Sequence, residues 1–194
     1  MSQAIEVLKE EVFDCKCGGK GVHSSFVLKE SIPHKLVSSV SCESCGEKNT
    51  TEDDFIKLDF GVEIMCDFTK ENGNTLMAFL NTKAETHLFD VDSNGNEKEI
   101  FSFNCDRANV DCIENILLRG KDTLLAGDKN QFKDAVARLD SIIESKRFKM
   151  KIVDKSGYSK VCPPGLEYSQ IQEKNFEELN KMDPRVVHKK ISCE

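Results

Sequence analysis

The stretches Cys15-Lys16-Cys17-Gly18-Gly19-Lys20-Gly21 and Cys42-Glu43-Ser44-Cys45-Gly46 decide how this chain is read. Two short cysteine pairs, each followed by glycine, are the sequence form of two metal knuckles. The glycine lets the chain turn back so that both sulfurs of a pair point at one centre. A loop of 24 residues, 18 to 41, separates the pairs, which is within the range of zinc ribbons. Four such sulfurs form a tetrahedral set suited to Zn2+, so Cys15, Cys17, Cys42 and Cys45 are the expected ligands. Asp14, three residues before Cys17, is an alternative to Cys15 as the first ligand, and His23 and His34 lie close in sequence. Four protein ligands leave no position for water, so the expected metal is structural.

Working outward, residues 1–13 carry Ile5, Val7, Leu8 and Val12 among charges and read as a short amphipathic helix or extension. Beyond the finger, Ile56, Leu58, Phe60, Val62, Ile64, Cys66 and Phe68 all fall on even positions, which predicts one long strand or two strands bent at Gly61. Glu71–Asn74 and Ser93–Asn96 read as turns around strands at 75–80, 86–91 and 100–103. The period then becomes helical: Val110, Ile113, Leu117 and Leu124, then Phe132 to Ile142, predict a helical hairpin at about 108–145, broken at Gly127-Asp128. Strands return at 148–152 and 158–161. The organisation expected is an extension at 1–13, a zinc finger at 14–50, a β-domain at 51–168 and a charged tail at 169–194, with a helix around 171–182, that frays toward its end. The fold class is mainly β with a helical hairpin: a zinc-ribbon-like finger followed by a β-sandwich or barrel-like domain.

Composition narrows the function. The 194 residues carry a net charge of -7, which disfavours nucleic acid as a partner because phosphate repels an acidic chain. The rival reading, a nucleic-acid-binding zinc ribbon, rests on Lys16, Lys20, Lys29, Lys35 and Lys48 around the finger. Nine cysteines, an odd number, argue against a complete disulfide framework and for metal binding in a reducing compartment, cytoplasmic or also nuclear. No apolar run is long enough for a membrane helix. No Walker loop, Gly-x-Ser-x-Gly or His-Glu-x-x-His is present, so no enzyme is expected. The acidic positions Asp53-Asp54, Asp90-x-Asp92 and Asp106 read as solvated turn residues.

The ordered pieces resemble a known family. Cys17 with Gly21, Ile32-Pro33, Ser39–Gly46 with Asn49, Val110–Leu117, Phe148–Gly157 and Tyr168 resemble, in that order, the ZPR-type zinc-finger proteins over about residues 14–175. The chain departs from that pattern where the family has Cys-x-x-Cys in the first pair; the missing cysteine falls on Asp14. Members of that family resemble chaperones of translation elongation factor 1-alpha. The resemblance implies a finger followed by a double-stranded β-domain with a helical hairpin. It implies a chaperone or adaptor that binds the elongation factor in its GDP-bound or newly made form, with other proteins as further partners. The loop Ser31, Ile32, Pro33, His34, Lys35 and Leu36, expected near the zinc, is the contact segment of this reading.

Overall fold

The computed structural model describes residues 5–192 except 30, 57, 70–74, 83, 106–107, 127–131 and 146. The turn expected at 71–74, the helix break at Gly127-Asp128, Asp106 and Cys193 therefore lie outside the described residues. The chain divides into two compact units, Met1–Lys57 and Leu58–Glu194.

The first unit is an antiparallel meander of β1 (Ile5–Asp14), β2 (Lys20–Leu28), β3 (Lys35–Cys42) and β4 (Lys48–Asp54), in that spatial order. Residues 5–14 thus form a strand, not the short amphipathic helix that was one of the two readings of residues 1–13. The β-branched and aromatic residues Ile5, Val7, Val12 and Phe13 suit a pleated ribbon, and pairing with β2 overrides the helical spacing. A bulge between Val7 and Lys9 lets Leu8 break the alternation. The registers Asp14↔Lys20, Gly21↔Cys42 and Ser41↔Lys48 bring the β1–β2 and β3–β4 turns side by side at one end of the sheet. The β2–β3 turn, which holds Ile32-Pro33, lies at the other end, and this peptide bond is cis. Among the described residues few apolar side chains of this unit are buried: Val27, Ile32, Pro33 and Val37, with Cys15 and Cys42. So small a core depends on a further cross-link for a stable fold.

The second unit is built on β5 (Gly61–Asp67), β6 (Met77–Leu80), β7 (Glu85–Val91), β8 (Glu97–Asn104), β9 (Asn109–Cys112), α1 (Ile113–Ala126), α2 (Lys133–Ser145), β10 (Phe148–Asp154), β11 (Lys160–Cys162), α3 (Tyr168–Gln172), α4 (Phe176–Met182) and β12 (Val186–Ile191). One sheet has the order β12-β5-β10-β7-β8 and a second has β11-β6-β9. Both sheets and the helical pair contribute to one apolar cluster that includes Ile64, Leu80, Leu88, Ile116, Leu139, Met150, Ile152 and Val161. The even-numbered run buries Val62, Ile64 and Cys66, but the strand begins only at Gly61, and Phe55 and Ile56 are exposed. A Cβ on Gly61 would lie 2.9 Å from the Asp154 carbonyl oxygen, so glycine there allows the sheet and the following turn to touch. The helices fall within the expected hairpin, whose first residues are strand β9 instead.

The tail differs most from expectation. The helix expected around 171–182 is present as α3 and α4, but where the tail was expected to fray β12 pairs with β5 along its length, from Val186↔Cys66 to Ile191↔Gly61. Val186 and His188 face inward and Val187 and Lys189 outward. Period two is therefore present, but the inward position filled by histidine hides it in a hydrophobicity count.

Candidate metal centre

The two adjacent turns are built alike. In the first, Cys15 N–H donates to the Gly19 carbonyl and Gly18 N–H to the Cys15 carbonyl, both at 2.9 Å. In the second, Cys42 N–H donates to the Glu47 carbonyl at 2.8 Å and Gly46 N–H to the Cys42 carbonyl at 2.9 Å. Gly18 (φ 86°) and Gly46 (φ 72°) take the left-handed conformation that closes each turn, which a side chain disfavours. Gly19 is where the turns meet: a Cβ there would lie 2.2 Å from Ser44 Oγ and 2.4 Å from Ser44 Cβ.

This packing brings Cys15, Cys17, Cys42 and Cys45 together, with all four Sγ atoms within 4.8 Å of one another. Across the turns, Cys15 Sγ is 3.8 Å from Cys45 Sγ and Cys17 Sγ is 3.7 Å from Cys42 Sγ. A tetrahedron of sulfurs about 2.3 Å from a central zinc has edges of about 3.8 Å, so these separations fit that ion. Cys15 and Cys42 are buried, whereas Cys17 and Cys45 are exposed. Gly19 N–H points at Cys17 Sγ at 3.4 Å, a donor that favours thiolate.

The thiols titrate unequally. Cys42 is drawn down to about 7, chiefly by the Cys45 backbone N–H, with the Cys45 thiol, the Ser44 N–H and the Cys17 thiol assisting against burial. Cys15 receives the Cys17 backbone N–H, but its thiol bond with Cys17, burial and its bonds to Cys42 and Cys45 prevail and push it up to about 12. A cation that takes these sulfurs as thiolates must displace their protons, so its binding releases protons and strengthens as pH rises.

The other residues considered as ligands stand elsewhere. Asp14 is exposed and pairs with Lys20. His23 Nε2 shares a hydrogen bond of 2.8 Å with Ser38 Oγ, on the neighbouring strand. His34 lies in the β2–β3 turn at the far end of the sheet, half-buried, with its pKa lowered by burial and by the charge of Lys29. The rest of the Ser31–Leu36 loop is there too: Ile32 and Pro33 are buried, Ser31, Lys35 and Leu36 are half-buried, and Lys35 Nζ pairs with Asp54 at 2.5 Å. The loop expected beside the metal is thus at the opposite end of its sheet, because a meander alternates its turns between two ends. Sequence reading missed a different feature. Strand β1 is an edge of its sheet, and Ile5, Val7, Leu8 and Val12 are 48–67% exposed along it. The signal was visible as four apolar residues in a charged segment, but their common exposure needed the strand assignment.

Lys20, Lys29 and Lys35 are paired with Asp14, Glu6 and Asp54. Residues 1–57 carry seven lysines against ten Asp and Glu, a net charge of -3.

Compared with known proteins, the chain matches no protein-family profile. No curated protein sequence matches it. Among the described residues no helix is long and apolar enough to cross a membrane.

Proposed function

We propose that this chain is a zinc-binding, non-enzymatic adaptor or chaperone whose client is translation elongation factor 1-alpha, and whose first unit is a zinc-ribbon-like finger joined to a β-sandwich domain. The observation that carries protein binding is the edge strand β1. Among the described residues it leaves one row of backbone N–H and C=O groups without a strand partner in its sheet, and it exposes Ile5, Val7, Leu8 and Val12. An exposed apolar edge is an aggregation hazard unless a partner uses it, and an extended client segment adds to such an edge as a further strand. The four cysteines support a structural role for zinc: closed by protein ligands, the metal holds the two turns together and so fixes β1 against β2. The choice of client rests on the sequence resemblance to the ZPR-type proteins. The functional compartment that goes with this reading is the cytoplasm, or the cytoplasm and nucleus.

The test is binding of purified GDP-loaded elongation factor 1-alpha to the zinc-loaded chain and to Val7→Lys and Val12→Lys variants. The reading expects one-to-one binding that both variants weaken at least about tenfold while each keeps one zinc; loss of about 1.4 kcal/mol suffices for that factor. Binding unchanged by both variants would remove β1 as the contact surface.

A further inference from the structure

Lys160, at the start of β11, is only 7% exposed. Among the described residues it has no carboxylate partner; its ammonium instead lies 4.3 Å from the centre of the Phe176 ring. Lys190, on β12, lies 4.1 Å from the centre of the Phe60 ring. The two rings meet edge to face, 5.9 Å apart and at 84°. Four segments of the second unit thus set two ammonium groups over adjoining aromatic rings.

Polar groups on the same and neighbouring segments of the chain are committed elsewhere. His188 stacks on Phe176 at 5.6 Å; its Nε2 accepts from Val161 N–H at 3.1 Å and its Nδ1 meets Asn180 Oδ1 at 2.8 Å. That pattern is the neutral ring with the proton on Nδ1. Asp154 is buried and its two oxygens accept from the N–H and hydroxyl groups of Ser156 and Ser159 at 2.5–2.9 Å. Glu178 accepts from the Asn175 N–H at 2.9 Å in a capping box. None of these neutralises Lys160.

A buried ammonium without a counter-ion is costly, and ring faces offset only part of that cost. Burial and the like charge of Lys190 hold the Lys160 amine down to about 8, so the two lysines sense each other. An anion seated at both would relieve desolvation and repulsion together.

We propose that Lys160 and Lys190, over Phe176 and Phe60, form an oxyanion-binding site that takes a carboxylate or phosphate group. This site belongs to the second unit and the cysteine cluster to the first, and it does not rest on the client proposed above. The test is NMR of lysine-labelled, zinc-loaded full chain, titrated at constant ionic strength with inorganic phosphate and, separately, with acetate. The expected result is a saturable shift of the Lys160 and Lys190 side-chain signals with one shared midpoint, lost in Lys190→Met, whose lysine is exposed. Response to phosphate alone assigns a phosphate ligand; response to acetate assigns a carboxylate. Lys160→Met should melt at a higher temperature than the parent without anion and gain nothing from added anion. Shifts that never saturate, or that persist in Lys190→Met, would overturn the site, as would a Lys160→Met variant that melts lower.

Discussion

Replacing Cys42 by serine should unfold the first unit and leave the second intact. Cys42 is the most buried of the four thiols and ends β3, and its carbonyl closes the second turn. Serine keeps the turn's backbone bonds but supplies a hard, weakly acidic oxygen in place of a thiolate, so the metal loses a quarter of its ligands. The stake is large relative to the rest of this unit. Each of Val27, Ile32 and Val37 contributes about 1.5–3 kcal/mol by burial, whereas a metal held at a thousandfold its dissociation constant adds about 4 kcal/mol by linkage alone. The second unit has its own apolar cluster, which contains no residue of the first. The assay is amide hydrogen exchange on the parent chain, the parent with chelator, and the Cys42→Ser variant. Loss of protection across β1–β4 in the last two, with β5 and β10 unchanged, is expected. Full protection of β1–β4 in a zinc-free sample would refute a structural metal at this site.

Three further outcomes follow from the geometry. Gly19→Ala should weaken zinc binding at least about tenfold in a competitive chelator titration, because its Cβ would sit 2.4 Å from Ser44 Cβ and force the turns apart. Gly46→Ala, at φ 72° with open space around it, should cost only the strain of a left-handed residue, about 1 kcal/mol in chemical unfolding, and keep the metal. The third outcome concerns His188, whose pKa is lowered to about 4, first by burial and then by the charge of Lys160. Its unfolded form, near 6.5, binds the proton more readily. Its contribution is therefore present above 6.5 and declines as pH falls toward 4, by about 2.5 kcal/mol between pH 7 and 4.5. Urea unfolding of the second unit in parent and His188→Gln should show the parent losing that much more stability over this range; parallel pH profiles would contradict a buried neutral ring.

The cysteine cluster was legible because metal ligation writes its geometry locally. Two pairs with trailing glycines imply two knuckles, and only their adjacency had to come from the register Gly21↔Cys42. The helical pair was equally legible, since Ile113, Leu117 and Leu124 keep one face over three turns. Elements whose pattern needs a partner to make sense were harder. Ile5, Leu8 and Val12 fit a helix when read alone, and the bulge at Leu8 explains why alternation fails there. In β12 an inward histidine, satisfied by Val161 N–H and Asn180, stands where an aliphatic residue would have announced a strand. The position of Ile32-Pro33 was misjudged because closeness in sequence to the cysteines says nothing about which end of a meander a turn occupies.

The measurement that bears most directly on the central claim is native mass spectrometry of the purified chain, alone and mixed with GDP-loaded elongation factor 1-alpha from the same source. One zinc ion per chain, lost in Cys42→Ser, and a one-to-one complex that forms only with the zinc-loaded protein are expected. A chain without zinc would contradict the metal assignment, and a zinc-loaded chain that forms no complex would contradict the proposed client.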